Sequence, residues 1–179
     1  MLHAVFDTET TDLIKNSLQP LEHQPRIIEF FGLLLDDEQE FKEVESINLL
    51  INPGIDISAE VTRITHITDE MVKDKPKFSE VEPLIAAYFK KADVVVAHNV
   101  TYDMDVVNFE YKRLKKDCFW PWERICTVEA TEHFKGHRLN LNALHTELFG
   151  KGFEGAHRAE TDVRALARCY VELKNRGEI

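Results

Sequence analysis

The chain has 179 residues, with 22 Lys+Arg, 32 Asp+Glu and 8 His, and a formal net charge of -10. That length suits one domain over residues 1–179 and can bury a core without disulfide or metal staples. A content of 44% hydrophobic and 30% charged residues excludes a disordered chain; no apolar run approaches the roughly 20 residues of a membrane helix; and a charge of -10 excludes a broad basic surface that coats nucleic acid.

The first residues, MLHAVFDTET, reach an acid at Asp7 before an apolar core can form, so no signal peptide is expected. Leu2 to Phe6 reads as a buried strand ending at Asp7. Arg26 to Leu35 (RIIEFFGLLL) reads as a second strand and Ser46 to Ile51 as a third, stopped by a turn at Asn52-Pro53-Gly54. A helix is expected over Ser79 to Lys91, with Ser79 as its N-cap and Val81, Leu84, Ile85, Tyr88 and Phe89 on one side. Asp93 to Ala97 (DVVVA) is a short β-branched strand followed by a polar break at His98-Asn99. Helices follow at Tyr102 to Leu114, Val128 to Phe134, Leu139 to Phe149 and Thr161 to Lys174. Strands first and helices interleaved with a strand later indicate an α/β layer structure. The early strands suit antiparallel hairpins, and the strand at 93–97 suits a parallel pairing, so the sheet should be mixed. Three cysteines without a CxxC pair argue against a disulfide framework and point to a reducing cytoplasm.

Acidic residues are unevenly spread. Residues 1–90 hold 8 Lys+Arg against 18 Asp+Glu and carry the whole imbalance. Two of those acids, Asp7 and Glu9, flank Thr8 at a strand end. Strand neighbours i and i+2 share a face, so both carboxylates point the same way. Such a pair resists joint ionisation unless a cation sits between its members, and oxygen ligands suit Mg²⁺ or Mn²⁺. A solvated strand end is the plainer alternative. Asp103 falls in the first turn of the helix after DVVVA, where an acid also compensates the helix dipole. Asp105 lies about 200° further round, so only one of the two can face a common site. His157 and Asp162 are five residues apart, about 140° on a helix. They converge only if His157 sits in the preceding loop, for which Gly150, Gly152 and Gly155 supply the freedom. A loop His beside a helical Asp is one way to present a general base.

In order, DTETTDL, AHNVTYD and HRAETD resemble the three motifs of the DEDDh 3′–5′ exonucleases, the family that includes polymerase proofreading domains, oligoribonuclease and exonuclease X. The segments RIIEFFGLLL, ITHITDEMVKDKPKF and RICTVEAT extend the resemblance over nearly the whole chain. It implies a ribonuclease H-like fold with a mixed five-stranded sheet flanked by helices. It implies two divalent ions, Mg²⁺ or Mn²⁺, held by Asp7, Glu9, Asp103 and Asp162, with His157 as general base. It implies contacts to the terminal nucleotide from Thr8, Thr10, Thr11, Leu13, His66, His98, Asn99 and Tyr102. The implied substrate is a single-stranded or frayed 3′ end of DNA, trimmed to nucleoside 5′-monophosphates, with a DNA polymerase as a partner and no membrane. Short RNA as substrate, and an inactive polymerase-docking module, are the alternatives.

The chain departs from the family at three places. Asp12 stands where Gly is usual, Thr65-His66 shifts a common His by one residue, and Tyr102 replaces a common Phe. The i,i+4 pair His133 and His137 lacks an HExxH context and reads as exposed histidines. The Phe119-Trp120-Pro121-Trp122 loop reads as packing under the sheet. The cluster Lys112, Arg113, Lys115 and Lys116 reads as a solvated helix end.

Overall fold

A computed structural model describes residues 1–16 and 19–179. In chain order the elements are β1 (Leu2–Thr10), β2 (Ile27–Asp36), β3 (Lys42–Leu50), α1 (Ala59–Thr65), α2 (Asp69–Val72), α3 (Phe78–Lys91), β4 (Val94–Ala97), α4 (Val100–Arg113), β5 (Glu123–Cys126), α5 (Thr127–Ala130), α6 (Leu141–Phe149) and α7 (Ala159–Arg176). Among the described residues the strands form one sheet in the order β3-β2-β1-β4-β5. β1 pairs antiparallel with β2 and parallel with β4; β3 and β5 extend the two sides. This is the mixed sheet that the strand pattern implies, with the five strands and flanking helices that the family resemblance implies.

The strands alternate between two cores, as a period of two requires. Ala4, Phe6, Phe30, Leu34 and Val95 face α3 and α4, packing against Val81, Ile85, Tyr88, Phe89 and Val107. Val5, Phe31, Leu33, Val94 and Val96 face α7, packing against Val163, Leu166 and Tyr170. α6 lies on α7 through Leu144, Leu148, Cys169 and Leu173. The three cysteines are free thiols, and no helix among the described residues is long and apolar enough to cross a membrane.

Several boundaries differ from the sequence-based expectation. β1 does not stop at Asp7; pairing of Thr8, Glu9 and Thr10 with Phe30, Glu29 and Ile27 carries it to Thr10. β3 starts at Lys42, earlier than Ser46, because an edge strand with one solvent face needs no apolar run there. The helix expected from Ser79 is capped at Lys77, so Ser79 lies inside its first turn. Leu84 falls at the edge of the apolar stripe of α3 and is 55% exposed. The segment 128–134 is not one helix: α5 ends at Ala130 and a 3-10 turn spans Glu132–Phe134. The FWPW loop divides. Trp120 packs on Phe6 and Phe89 at ring-centroid distances of 5.9 and 4.5 Å, whereas Trp122 is 98% exposed. Arg113 is no solvated helix end; its Nη2 donates to the carbonyls of Leu21, Gln24 and Pro25 at 2.8–3.2 Å and pins that loop to α4.

Candidate active site

The site forms where β1 outlasts its neighbour. β4 pairs with β1 only as far as Val5, while β1 runs on to Thr10. Backbone N–H groups on that open edge need acceptors. Asp103, in the first turn of α4 and 3% exposed, provides one: its Oδ1 accepts from the Thr8 N–H at 3.1 Å and from Thr8 Oγ1 at 2.8 Å. Asp105 is exposed, so of the two acids only Asp103 turns to the strand.

Asp7 and Glu9 share the face of Val5, toward α7. There one carboxylate oxygen each from Asp7, Glu9 and Asp162 lie within 4.8 Å of one another. Asp162 is in the first turn of α7, and its Oδ2 accepts the His157 N–H at 2.9 Å. His157 stands in the loop before α7 with a left-handed φ of 69°, a conformation that costs a non-glycine residue of order 1–3 kcal/mol. The bond to Asp162 holds the residue there. So β1 works in both directions: its odd residues meet α7, and its even residue Thr8 meets α4. Asp103 is bound to β1 but stands outside the group of three close oxygens.

Electrostatics mark these acids as uncompensated. Burial, then Asp103, Glu9 and Asp162, push the Asp7 carboxyl well above the carboxylate range. Burial, then Asp162, Glu29 and Asp103, push Glu9 up to about 8, against the pull of Arg158. Asp103 is pushed up to about 7 by burial, against its bonds from Thr8. Asp162 is pushed up to about 6 by burial, against the His157 N–H. All four acids are shifted toward the neutral form, and three of them converge hard oxygen donors. That donor set fits a divalent ion such as Mg²⁺ or Mn²⁺.

A cleft of about 330 Å³ opens beside the cluster, lined by Asp7, His98, Asn140, Phe153, His157 and Asp162 among others. His98 Nε2 lies 3.0 Å from the Leu139 carbonyl, which can only accept, so Nε2 carries the proton and Nδ1 accepts from Thr127 Oγ1 at 2.9 Å. Burial lowers this imidazole to about 4, so it is a fixed neutral wall of the cleft. His157, by contrast, is exposed.

The other expected nucleotide contacts divide. Thr8 is buried and committed to Asp103. Thr10 Oγ1 bonds the Asp12 carbonyl at 2.7 Å and Tyr102 Oη at 3.1 Å, and Tyr102 Oη also reaches the Asp12 carbonyl at 3.3 Å. The hydroxyl that Tyr102 adds to the usual Phe therefore fastens the loop in which Asp12 replaces Gly. Thr11 Oγ1 accepts from the Arg26 N–H at 3.0 Å. Leu13 is 73% exposed next to that loop. Asn99, left-handed at φ 83°, accepts from Arg138 Nη2 at 3.1 Å. His66 has a different job: it is the left-handed C-cap of α1, outside the cleft lining. His133 pairs with Glu178 at 3.2 Å rather than with His137.

Sequence reasoning passed over Glu29, which stands directly across from Glu9 in the β1–β2 ladder and is fully buried. The signal was present. A single acid inside the apolar run RIIEFFGLLL must find a cation or lose its charge.

Comparison with known proteins follows the same lines. The RNase T model, described as exonuclease, matches residues 4–170. The chain is 31% identical over 171 residues to the DNA polymerase III subunit epsilon of Treponema pallidum (strain Nichols), covering 94% of this chain and 74% of that protein. It is 30% identical over 173 residues to the DNA polymerase III PolC-type of Caldanaerobacter subterraneus subsp. tengcongensis, covering 94% of this chain but 11% of that polymerase. Among solved structures, the nuclease domain of 3′hExo, a DEDDh family member bound to rAMP, superposes with a TM-score of 0.78 at 18% identity, over 98% of this chain and 92% of that one. Exonuclease X in complex with 5′ overhanging duplex DNA superposes with a TM-score of 0.68 at 24% identity, over 98% and 93% of the two chains. At those identities the likeness is one of fold.

Proposed function

We propose a specific reaction for a chain that belongs to the RNase T exonuclease family and is a 3′–5′ exonuclease: metal-dependent removal of nucleoside 5′-monophosphates from the 3′ end of DNA. Residues 1–179 act as one such domain in the cytoplasm, and a DNA polymerase is its partner of choice. The observation that carries this reading is the meeting of Asp7, Glu9 and Asp162, from strand and helix, beside a cleft walled by His98 and His157.

Asp7, Glu9, Asp103 and Asp162 are the residues to hold two divalent ions, Mg²⁺ or Mn²⁺. Bound there, such ions supply charge that offsets the phosphodiester, favour ionisation of the attacking water and stabilise the leaving 3′-oxygen. The chain itself does the rest. Asp103 and Thr8 lock α4 to β1, which fixes the spacing of the acids. His157, exposed and part of the cleft lining, is assigned the role of taking a proton from water and passing it to solvent. The 11–13 loop, fastened by Tyr102, offers Leu13 as an apolar surface for the terminal base, with Thr10 and Thr11 shaping the backbone beneath it. His98, neutral throughout the working range, adds no positive charge of its own to the cleft.

DNA is preferred because the relatives at 30% identity and above carry the name DNA polymerase III. The rAMP bound to one fold neighbour motivates short RNA as the second reading. Digestion of 5′-labelled DNA and RNA oligonucleotides with Mg²⁺ or Mn²⁺ decides. A ladder of products shortened from the 3′ end, faster on DNA, is expected. No shortening under either metal would overturn the proposal, and faster RNA trimming would overturn its substrate.

A further inference from the structure

Glu29 and Arg158 form a multiply bonded ion pair near the site, its acid fully buried. Glu29, on β2, is 0% exposed. Arg158 Nη2 donates to its Oε1 at 2.6 Å, and Arg158 Nε lies 3.1 and 3.2 Å from its two oxygens. A fourth contact comes from the backbone: the Ala159 N–H donates to Oε2 at 2.9 Å. Ala159 is the first residue of α7, and the residue at its N-cap, Arg158, makes no capping bond of its own. The acceptor that α7 lacks locally is thus supplied from the sheet.

Position gives this pair more than an anchoring task. Glu29 is the direct cross-strand partner of Glu9. Arg158 is the immediate neighbour of His157 and lies four residues before Asp162. One carboxylate therefore ties the strand beside Glu9 to the turn that carries the other half of the site. The Arg158 side chain is 37% exposed, yet the cleft is lined by His157 and Asp162 and not by Arg158. The Nε and Nη2 edge of its fork is taken by Glu29.

We propose that Glu29 and Arg158 are positioning residues: their bridge from β2 to the start of α7 fixes where His157 and Asp162 stand relative to Asp7 and Glu9. This rests on the exonuclease reading above. Offsets of about 1 Å in such a constellation reduce turnover by up to about a hundredfold. The bridge acts on the geometry of the acids and the base, not on the grip on the strand.

The test uses the full chain as wild type, R158Q, R158K, E29Q and the double variant E29Q/R158Q. Three quantities are read: kcat and KM on a 5′-labelled DNA oligonucleotide, Mn²⁺ affinity by calorimetry, and the melting temperature. R158Q and E29Q should each lower kcat about tenfold or more with KM within about twofold. Mn²⁺ affinity should weaken by about threefold or more in the same variants. The double variant should be no worse than the poorer single, since both remove one bridge. R158K, which keeps the charge without the fork, should recover part of kcat. Should E29Q fail to fold, the two Arg158 variants, at a half-buried position, carry the test. Folded R158Q with wild-type kcat and Mn²⁺ affinity would overturn the proposal. So would a raised KM with unchanged kcat, which would make Arg158 a strand contact. A wild type that neither binds Mn²⁺ nor shortens the oligonucleotide would overturn the exonuclease reading, and this inference with it.

Discussion

Asp7 is the residue on which the charge of the site concentrates, facing Asp103, Glu9 and Asp162 with burial as the first influence on its proton. Removing its charge should separate chemistry from folding. Asp7→Asn keeps the shape, deletes a metal oxygen and removes an acid whose ionisation is opposed first by burial and then by its acidic neighbours. We expect kcat to fall by about a thousandfold, while the melting temperature without metal stays level or rises. Oligonucleotide digestion and a thermal melt check the two halves. His98 allows a pH test. Its folded-state value is about 4, against 6.5 for a free imidazole. Between those values the unfolded chain binds a proton that the folded chain does not. Its contribution is therefore fully present above pH 6.5 and is lost as pH falls toward 4, by about 3 kcal/mol in all. His98→Gln should flatten that part of the stability curve. Denaturant unfolding of both proteins at pH 4.5 and 7.5 measures the difference; parallel losses would contradict the assignment.

At the scale of elements, α3 comes closest to the sheet backbone at Tyr88. Tyr88 Oη donates to the paired carbonyls of Val5 and Leu33 at 3.1 and 3.0 Å, and a Cβ at Gly32 would stand 2.5 Å from its ring. Gly32→Ala must push Tyr88 off those carbonyls, and should cost about 2–3 kcal/mol. Chemical denaturation would show it, with Gly32→Ala/Tyr88→Phe recovering part. The same scale explains what was legible in the sequence. Alternation made Asp7 and Glu9 share a face, and helical phase separated Asp103 from Asp105; both hold. The glycines at 150–155 correctly placed His157 in a loop. The boundaries of β1 and β3 were not legible, because cross-strand pairing, not local pattern, carries them through polar residues. Nor was the split of α5 from its 3-10 turn. Glu29 was overlooked because its partner, Arg158, is 129 residues away, and a buried acid names no partner by itself.

At the scale of the molecule, the charge of -10 and the grip on nucleic acid have to be reconciled. Metal-mediated contact at one 3′ end asks for few phosphate partners, so substrate affinity should fall only modestly between about 50 and 200 mM salt. A slope matching about 6–10 neutralised phosphates would contradict it. Because the cluster exists only in the folded chain, divalent ions that bind it should also stabilise the fold. At about a hundred times the dissociation constant the gain is about 2.7 kcal/mol, a rise of roughly 5–10 °C for a chain of this size. EDTA should reverse it, and Asp7→Asn should shrink it. The most direct measurement is a crystal structure with Mn²⁺ and a nucleoside 5′-monophosphate, its ions located by anomalous scattering. Mn²⁺ should be found on carboxylate oxygens of Asp7, Glu9, Asp103 and Asp162, with the phosphate in the cleft beside His157. Ions bound elsewhere, or a cluster left empty with the nucleotide present, would contradict it.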